Sequence, residues 1–370
     1  MIYFDNAATG GRKPDGVISA VHAAAKLCAN PGRSGHSLSL ACARVVQNCR
    51  TALSDYFDGY GAERVIFTKN CTEAINIALF GTLKAGDHVV TNCMEHNSVL
   101  RPLERLKRLG LIEYDVCPTT DGNISPETLA ALVKPNTRLV AVTSASNVTG
   151  TIPPLEKIRK ALPEHILFLV DGAQGAGHYP LHLKTLGADF LAVAGHKGLH
   201  GIQGSGALLF SERIDPTPLL YGGTGSESYS LEMPSFYPDA LEAGTLSFPA
   251  VASLAEGVFF LIAQGDRIEK QLVDYTAYLC AAFRYLPDFR LYSAPNPCGI
   301  VAFSHRTLPS EEVANRLNEE FSIAVRGGFH CAPLMHRALG TAENGLVRAS
   351  FSPFNREKEI DVLVRALKRF

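Results

Sequence analysis

The sequence predicts an α/β protein: a large domain on a mainly parallel sheet packed between helices, then a smaller α+β domain at the C-terminal end. Three observations carry this reading. Up to about residue 260, short apolar runs alternate with helical stretches of about ten residues, the pattern of a sheet covered on both faces. Residue types suited to chemistry gather just beyond the ends of those runs, where such sheets hold their working loops. Past residue 260 the rhythm shifts to a long helical stretch followed by shorter, mixed elements.

The elements follow in order. The opening M-I-Y-F-D-N-A-A-T reads as a strand and a turn, and helical periodicity covers 14–28 and 37–57. A strand over 65–68 leads to a helix over 72–83, and a strand over 88–92 to a helix over 98–109. A strand over 112–116, a helix over 126–133 and a strand over 138–144 come next. A short helix over 155–162 precedes the strand 166–170, and D-F-L-A-V-A supplies the strand after it. The tail reads as helical from 252 to 286, with strands over 289–293 and 299–304. It continues with a helix over 310–321, strands over 323–326 and 346–351, and a last helix over 356–368. The expected division is an N-terminal segment, 1–15, joining the small domain, a large domain over 16–260 and a small domain over 261–370.

Composition narrows the class of function. The 370 residues carry 35 Lys and Arg against 36 Asp and Glu, a formal net charge of -1. That balance gives no basic face for stable nucleic-acid binding. No apolar run reaches the ~18 residues of a membrane span, and the start lacks the pattern of a signal peptide. Nine cysteines, an odd number without a C-x-x-C pair, fit free thiols in a reducing cytoplasm rather than a disulfide scaffold. An enzyme is the reading that remains.

The strongest local signal is I-L-F-L-V-D-G-A-Q, an apolar strand ending in Asp171 beside small residues and Gln174. Twenty-six residues after Asp171, beyond the next strand, stands Lys197 in G-H-K. Taken alone, Asp171 reads as a structural or metal-binding acid and Lys197 as a surface charge. Together, in strand context, they match what a pyridoxal phosphate site requires: an amine for the Schiff base and the α-proton, and a carboxylate that keeps the pyridine nitrogen protonated. N-C-T-E-A-I-N opens a helix after a strand, so Thr72 sits where backbone N–H groups and the dipole favour a phosphate, or where a plain cap belongs. His96, in M-E-H-N-S, stands where an imidazole can stack on the ring and relay a proton. Asn147, in T-S-A-S-N-V-T-G, can reach the ring's phenolic oxygen or the substrate.

With these residues in view the sequence resembles the class V aminotransferase-like enzymes of pyridoxal phosphate fold-type I, within them the cysteine desulfurase and selenocysteine lyase group. Segments spread over essentially the whole chain carry the resemblance, among them F-D-N-A-A-T, G-R-S-G-H, T-E-A-I-N, E-H-N-S, S-N-V-T-G, V-D-G-A-Q, G-H-K, E-A-G-T, R-G-G-F-H-C-A-P-L and V-R-A-S. It implies a seven-stranded sheet in the large domain and a homodimer with sites at the interface. It makes Lys197 the Schiff-base lysine, Asp171 the partner of the ring nitrogen and His96 the stacking residue. Gln174 would bond the phenolic oxygen with Asn147 near it, and His196 and Thr72 would bind the phosphate. Thr245 would come from the second subunit. Arg348 would pair with the substrate carboxylate, for which a guanidinium fork is suited. His36 and Arg33 match positions near the substrate.

Departures from the family pattern are informative. Ala194 stands where relatives often have serine, and Cys71 where they often have threonine; each would weaken a hydroxyl aimed at the phosphate. Phe329 replaces the first of two histidines, an apolar ring that either shields the pocket or alters selectivity between sulfur and selenium.

The cofactor leaves the reaction open, and a thiol discriminates. Cys331, in V-R-G-G-F-H-C-A-P-L, lies at the position of the family's persulfide-forming cysteine. Gly327 and Gly328 permit an unusual backbone path, Pro333 reads as a helix breaker, and Arg326 and His330 as groups that stabilise a thiolate. The leading expectation is an L-cysteine desulfurase that releases alanine and passes its persulfide sulfur to a reductant or acceptor protein. Selenocysteine lyase and another class V aminotransferase activity are the alternatives.

Overall fold

The computed structural model describes residues 1–370 apart from Cys28, Thr120 and Asp121; the helical reading over 14–28 is met by the helix Asp15–Lys26, and only its last residue, Cys28, lies outside the described residues. A two-residue strand, β1 (Ile2–Tyr3), opens the chain and pairs in parallel with β11 (Ile323–Ala324) of the C-terminal region. Seven strands form the main sheet: β2 (Val65–Thr68), β3 (Asp87–Asn92), β4 (Ile112–Cys117), β5 (Thr137–Thr143), β6 (Leu167–Asp171), β7 (Phe190–Ala194) and β8 (Gly206–Phe210). Their spatial order is β2-β8-β7-β6-β5-β3-β4, with β8 antiparallel to both neighbours and all other pairings parallel.

Both faces of the sheet's middle are buried, which explains the apolar runs of β6, β7 and β8. Val140, Val142, Phe168 and Val170 point into one core with the helices Ser37–Tyr56 and Phe248–Gln264. Leu139, Ala141, Leu167 and Leu169 point into the other with Cys71–Thr82 and Asn97–Arg108. Side chains that alternate about the strand thus reach two separate cores.

The C-terminal region holds an antiparallel sheet of β9 (Phe289–Leu291), β10 (Ile300–His305) and β12 (Val347–Ser350), in the order β12-β10-β9. Three sequence expectations need correction. The helical stretch expected over 252–286 is two helices, Phe248–Gln264 and Arg267–Ala282, bent by 81° at Gly265, whose φ of +51° a non-glycine residue adopts only under strain. Strand β8 was not anticipated; it lies in G-S-G-A-L-L-F, where glycines mask a strand signal. Pro333 begins the short helix Pro333–Ala338 rather than breaking one, since its missing N–H costs nothing in a first turn. Among the described residues, no single helix is long and apolar enough to cross a membrane.

Candidate active site

A cavity opens where the carboxyl ends of the parallel strands meet the C-terminal region. Its walls include Cys71, Thr72, His96, Asn147, Asp171, Gln174, His196, Lys197 and Arg348, nine of the residues singled out from sequence, together with Arg326 and His330.

Asp171 ends β6 and is 2% exposed. Its Oδ1 accepts from Ala173 N at 2.9 Å and from the Cys71 thiol at 3.3 Å. The Cys71 thiol therefore points at the carboxylate. Burial, reinforced by the Asp171 charge, pushes that thiol well above its usual range and keeps it a donor.

Lys197 follows β7 in a loop tied to the N-terminal segment. The His196 carbonyl accepts from Gly10 N and Lys13 Nζ, both at 2.9 Å, and the His196 ring bonds Thr9 Oγ1 at 3.0 Å. Burial lowers the Lys197 amine below the ordinary lysine range, against the pull of Asp171. His96 caps the helix Asn97–Arg108: its Nδ1 accepts from Ser98 N at 3.0 Å, which leaves the proton of the neutral ring on Nε2. Burial pushes His96 down to about 4, with Asp171 opposing.

Thr72 lies in the first turn of Cys71–Thr82, where Asn70 Oδ1 accepts from Glu73 N at 3.0 Å. Gln174 donates to Ala7 O at 3.1 Å. Arg348, 1% exposed, donates from Nη1 to Asn147 O at 2.8 Å and from Nη2 to Asp5 Oδ1 at 3.1 Å. Burial brings its pKa down to about 10, with Asp5 opposing.

Cys331 is exposed at the cavity's edge, in a turn where His330 and Cys331 have φ values of 50° and 55°. The His330 ring, expected to stabilise a thiolate, is buried against His336 beside Arg348, and burial holds it well below the usual histidine range. Arg326 remains the cation near this turn. Phe329 is not among the cavity walls; its ring meets His336 edge-on at 5.5 Å.

Arg33, His36 and Thr245 lie away from this cavity. Arg33 donates to Gly223 O at 3.1 Å and Gly244 O at 2.7 Å, beside the exposed Thr245. His36 caps Ser37–Tyr56 through Ser39 N. The sequence reading missed Asp5, Ser98 and the buried Glu95, although all three lie inside segments it quoted, F-D-N-A-A-T and E-H-N-S. Glu95 Oε1 accepts from Asn92 Nδ2 at 2.7 Å and Thr143 N at 2.5 Å, which fastens the His96 turn to β5.

The donor set fits pyridoxal phosphate. A buried carboxylate, a lysine of lowered basicity and a helix N-terminus share one cavity. Among the described residues, Asn147 Oδ1, Gln174 Oε1 and Arg348 Nε are buried without partners, polar atoms that a bound ligand and substrate would be expected to engage.

Residues 2–363 match the family model described as aminotransferase class-V. A probable cysteine desulfurase of Methanothermobacter thermautotrophicus is 34% identical over 352 residues, covering 92% of this chain and 87% of the relative. One of Pyrococcus abyssi is 34% identical over 386 residues, covering 100% and 94%. The solved cysteine desulfurase of Thermococcus onnurineus NA1 superposes with a TM-score of 0.93 at 33% identity, covering 100% of this chain and 94% of that one. One from Escherichia coli gives 0.88 at 27% identity, covering 99% and 94%.

Proposed function

The chain belongs to the class-V aminotransferase family, in its cysteine desulfurase group, and on that premise we propose that it is a pyridoxal phosphate-dependent L-cysteine desulfurase. The observation that carries the reading is the placement of Cys331: an exposed thiol on a turn bonded directly to the cavity's walls.

Lys197, Asp171, His96, Gln174, Thr72 and His196 would hold the cofactor. Bound there, pyridoxal phosphate supplies an electron sink for the substrate's Cα. Arg348 Nε offers a donor for the substrate carboxylate, while its two outer nitrogens stay on Asn147 and Asp5. Lys197 Nζ, with a larger neutral share than an exposed lysine, takes the Cα proton and returns one to the alanine product. The Cys331 thiolate attacks the substrate sulfur: the S–S bond forms, the Cβ–S bond breaks and its electron pair stays with the three-carbon fragment, which a proton completes as alanine. The sum is L-cysteine plus thiol giving L-alanine plus persulfide. A reductant or an acceptor protein then removes the outer sulfur.

In the homodimer this reading includes, the face carrying Arg33, His36 and Thr245 meets the partner's cavity. Incubation with L-cysteine without reductant, followed by intact-mass and peptide mass spectrometry, tests the proposal. A gain of one sulfur atom on the Cys331 peptide supports it; alanine release with the sulfur elsewhere contradicts it.

A further inference from the structure

Asn147 stands where the substrate end of the cavity meets the thiol turn. Its carbonyl accepts from Arg348 Nη1 at 2.8 Å, and its side-chain Nδ2 donates to His330 O at 2.6 Å. The next carbonyl, that of Cys331, accepts from Asn97 N at 2.8 Å, directly after His96. Two consecutive carbonyls of the turn are thus held from outside it, one by the cavity wall Asn147 and one by Asn97, between the wall residues His96 and Ser98. His330 and Cys331 both occupy the left-handed region, which only a few per cent of non-glycine residues adopt and which two consecutive ones seldom hold without outside support. Other bonds also restrain the turn: Gly328 N donates to Ser310 Oγ and Ala332 N to Phe329 O, each at 3.0 Å, and the His330 ring bonds Arg326 O at 3.3 Å. None of these bonds holds the His330 or Cys331 carbonyl.

We propose that Asn147 is a positioning residue for the Cys331 thiol: its amide clamps the left-handed turn that aims the thiol, and its backbone ties that aim to Arg348. This deepens the desulfurase reading and rests on it. An amide nitrogen carries two protons, and only one is spent on His330, so a contact with the cofactor ring is compatible with the clamp.

The test is hydrogen–deuterium exchange on the holoenzyme, read over residues 326–332, for wild type, Asn147→Ala and Asn147→Asp. The Asp variant keeps the size of the side chain but places an acceptor against His330 O, and it decides the matter if the Ala variant does not fold. Loss of one buried hydrogen bond predicts about five- to tenfold faster exchange in this segment, with the Leu167–Asp171 strand unchanged. The kcat for alanine release from L-cysteine should fall at least about tenfold, with KM moving less. Wild-type exchange over 326–332 in both folded variants overturns the proposal, and a shifted cofactor absorbance band alongside that result assigns Asn147 to the ring alone. If wild type makes no alanine from L-cysteine, the desulfurase reading fails, and the exchange data still decide whether the clamp exists.

Discussion

The two sides of the cavity are built on opposite terms. One is the strand-end wall, where Asp171 closes a strand whose Phe168, Leu169 and Val170 are all 0% exposed. The other is the turn over 326–332, with an exposed thiol, a Phe329 that is 46% exposed and a left-handed backbone. Groups that must keep one position against a cofactor sit on the sheet, which transmits the rigidity of two packed cores. The thiol that, on the proposed function, would meet first the substrate and then an acceptor sits where only a few hydrogen bonds restrain it. Preorganisation and delivery are divided between the two.

The largest effect should come from the wall. On the proposed function, Lys197→Ala removes both the cofactor's attachment and the group that moves the Cα proton. It should lower alanine formation from L-cysteine by at least about 10³-fold and abolish the visible absorbance of the purified protein. Activity within tenfold of wild type would remove the lysine from the mechanism.

Stability should follow the same division. Phe168→Ala, in the core beneath Asp171, should cost about 3–5 kcal/mol. Phe329→Ala, on the turn, should cost about 1 kcal/mol, mostly the edge contact with His336. Chemical denaturation of the two variants measures the contrast, and equal losses would mean that the turn is as tightly integrated as the sheet.

Acid should act through buried histidines on both sides of the cavity, His330 of the turn included. Burial comes first among the causes that push His96 and His196 down to about 4 and His200 to about 3. An unfolded histidine titrates near ~6.5, so below that pH the unfolded chain binds protons that the folded chain refuses. The stability these rings contribute is complete above about pH 6.5 and is lost as pH falls toward about 4. The urea midpoint should therefore be lower at pH 5 than at pH 7. Buried Glu95 and Glu242, whose carboxyls burial pushes up, act in the opposite sense, and a flat or rising midpoint would contradict the prediction that the rings outweigh them.

The wall was legible in the sequence for a physical reason. Asp171, Lys197, His96 and Asn147 each follow an apolar strand, and parallel strands present their ends on one side of the sheet. Periodicity and motif spacing therefore sufficed to gather them. What escaped depended on contacts remote in the chain. That Cys71 faces Asp171 follows from how Cys71–Thr82 packs against β6, not from local pattern. That the His330 ring is buried, which holds it well below the usual histidine range, follows from His336 and Arg348 packing beside it. Strand β8 was hidden because glycines dilute its apolar signal, although its neighbours on both sides require it.

The central claim is that the wall prepares the substrate and Cys331 takes its sulfur. The most direct measurement is the rate of alanine formation from L-cysteine, with a reductant present, for wild type and Cys331→Ala side by side. The account predicts alanine from wild type and at least about a tenfold loss in the variant, with the cofactor's absorbance unchanged. Equal rates from the two proteins would contradict it, because the sulfur would then leave without the thiol.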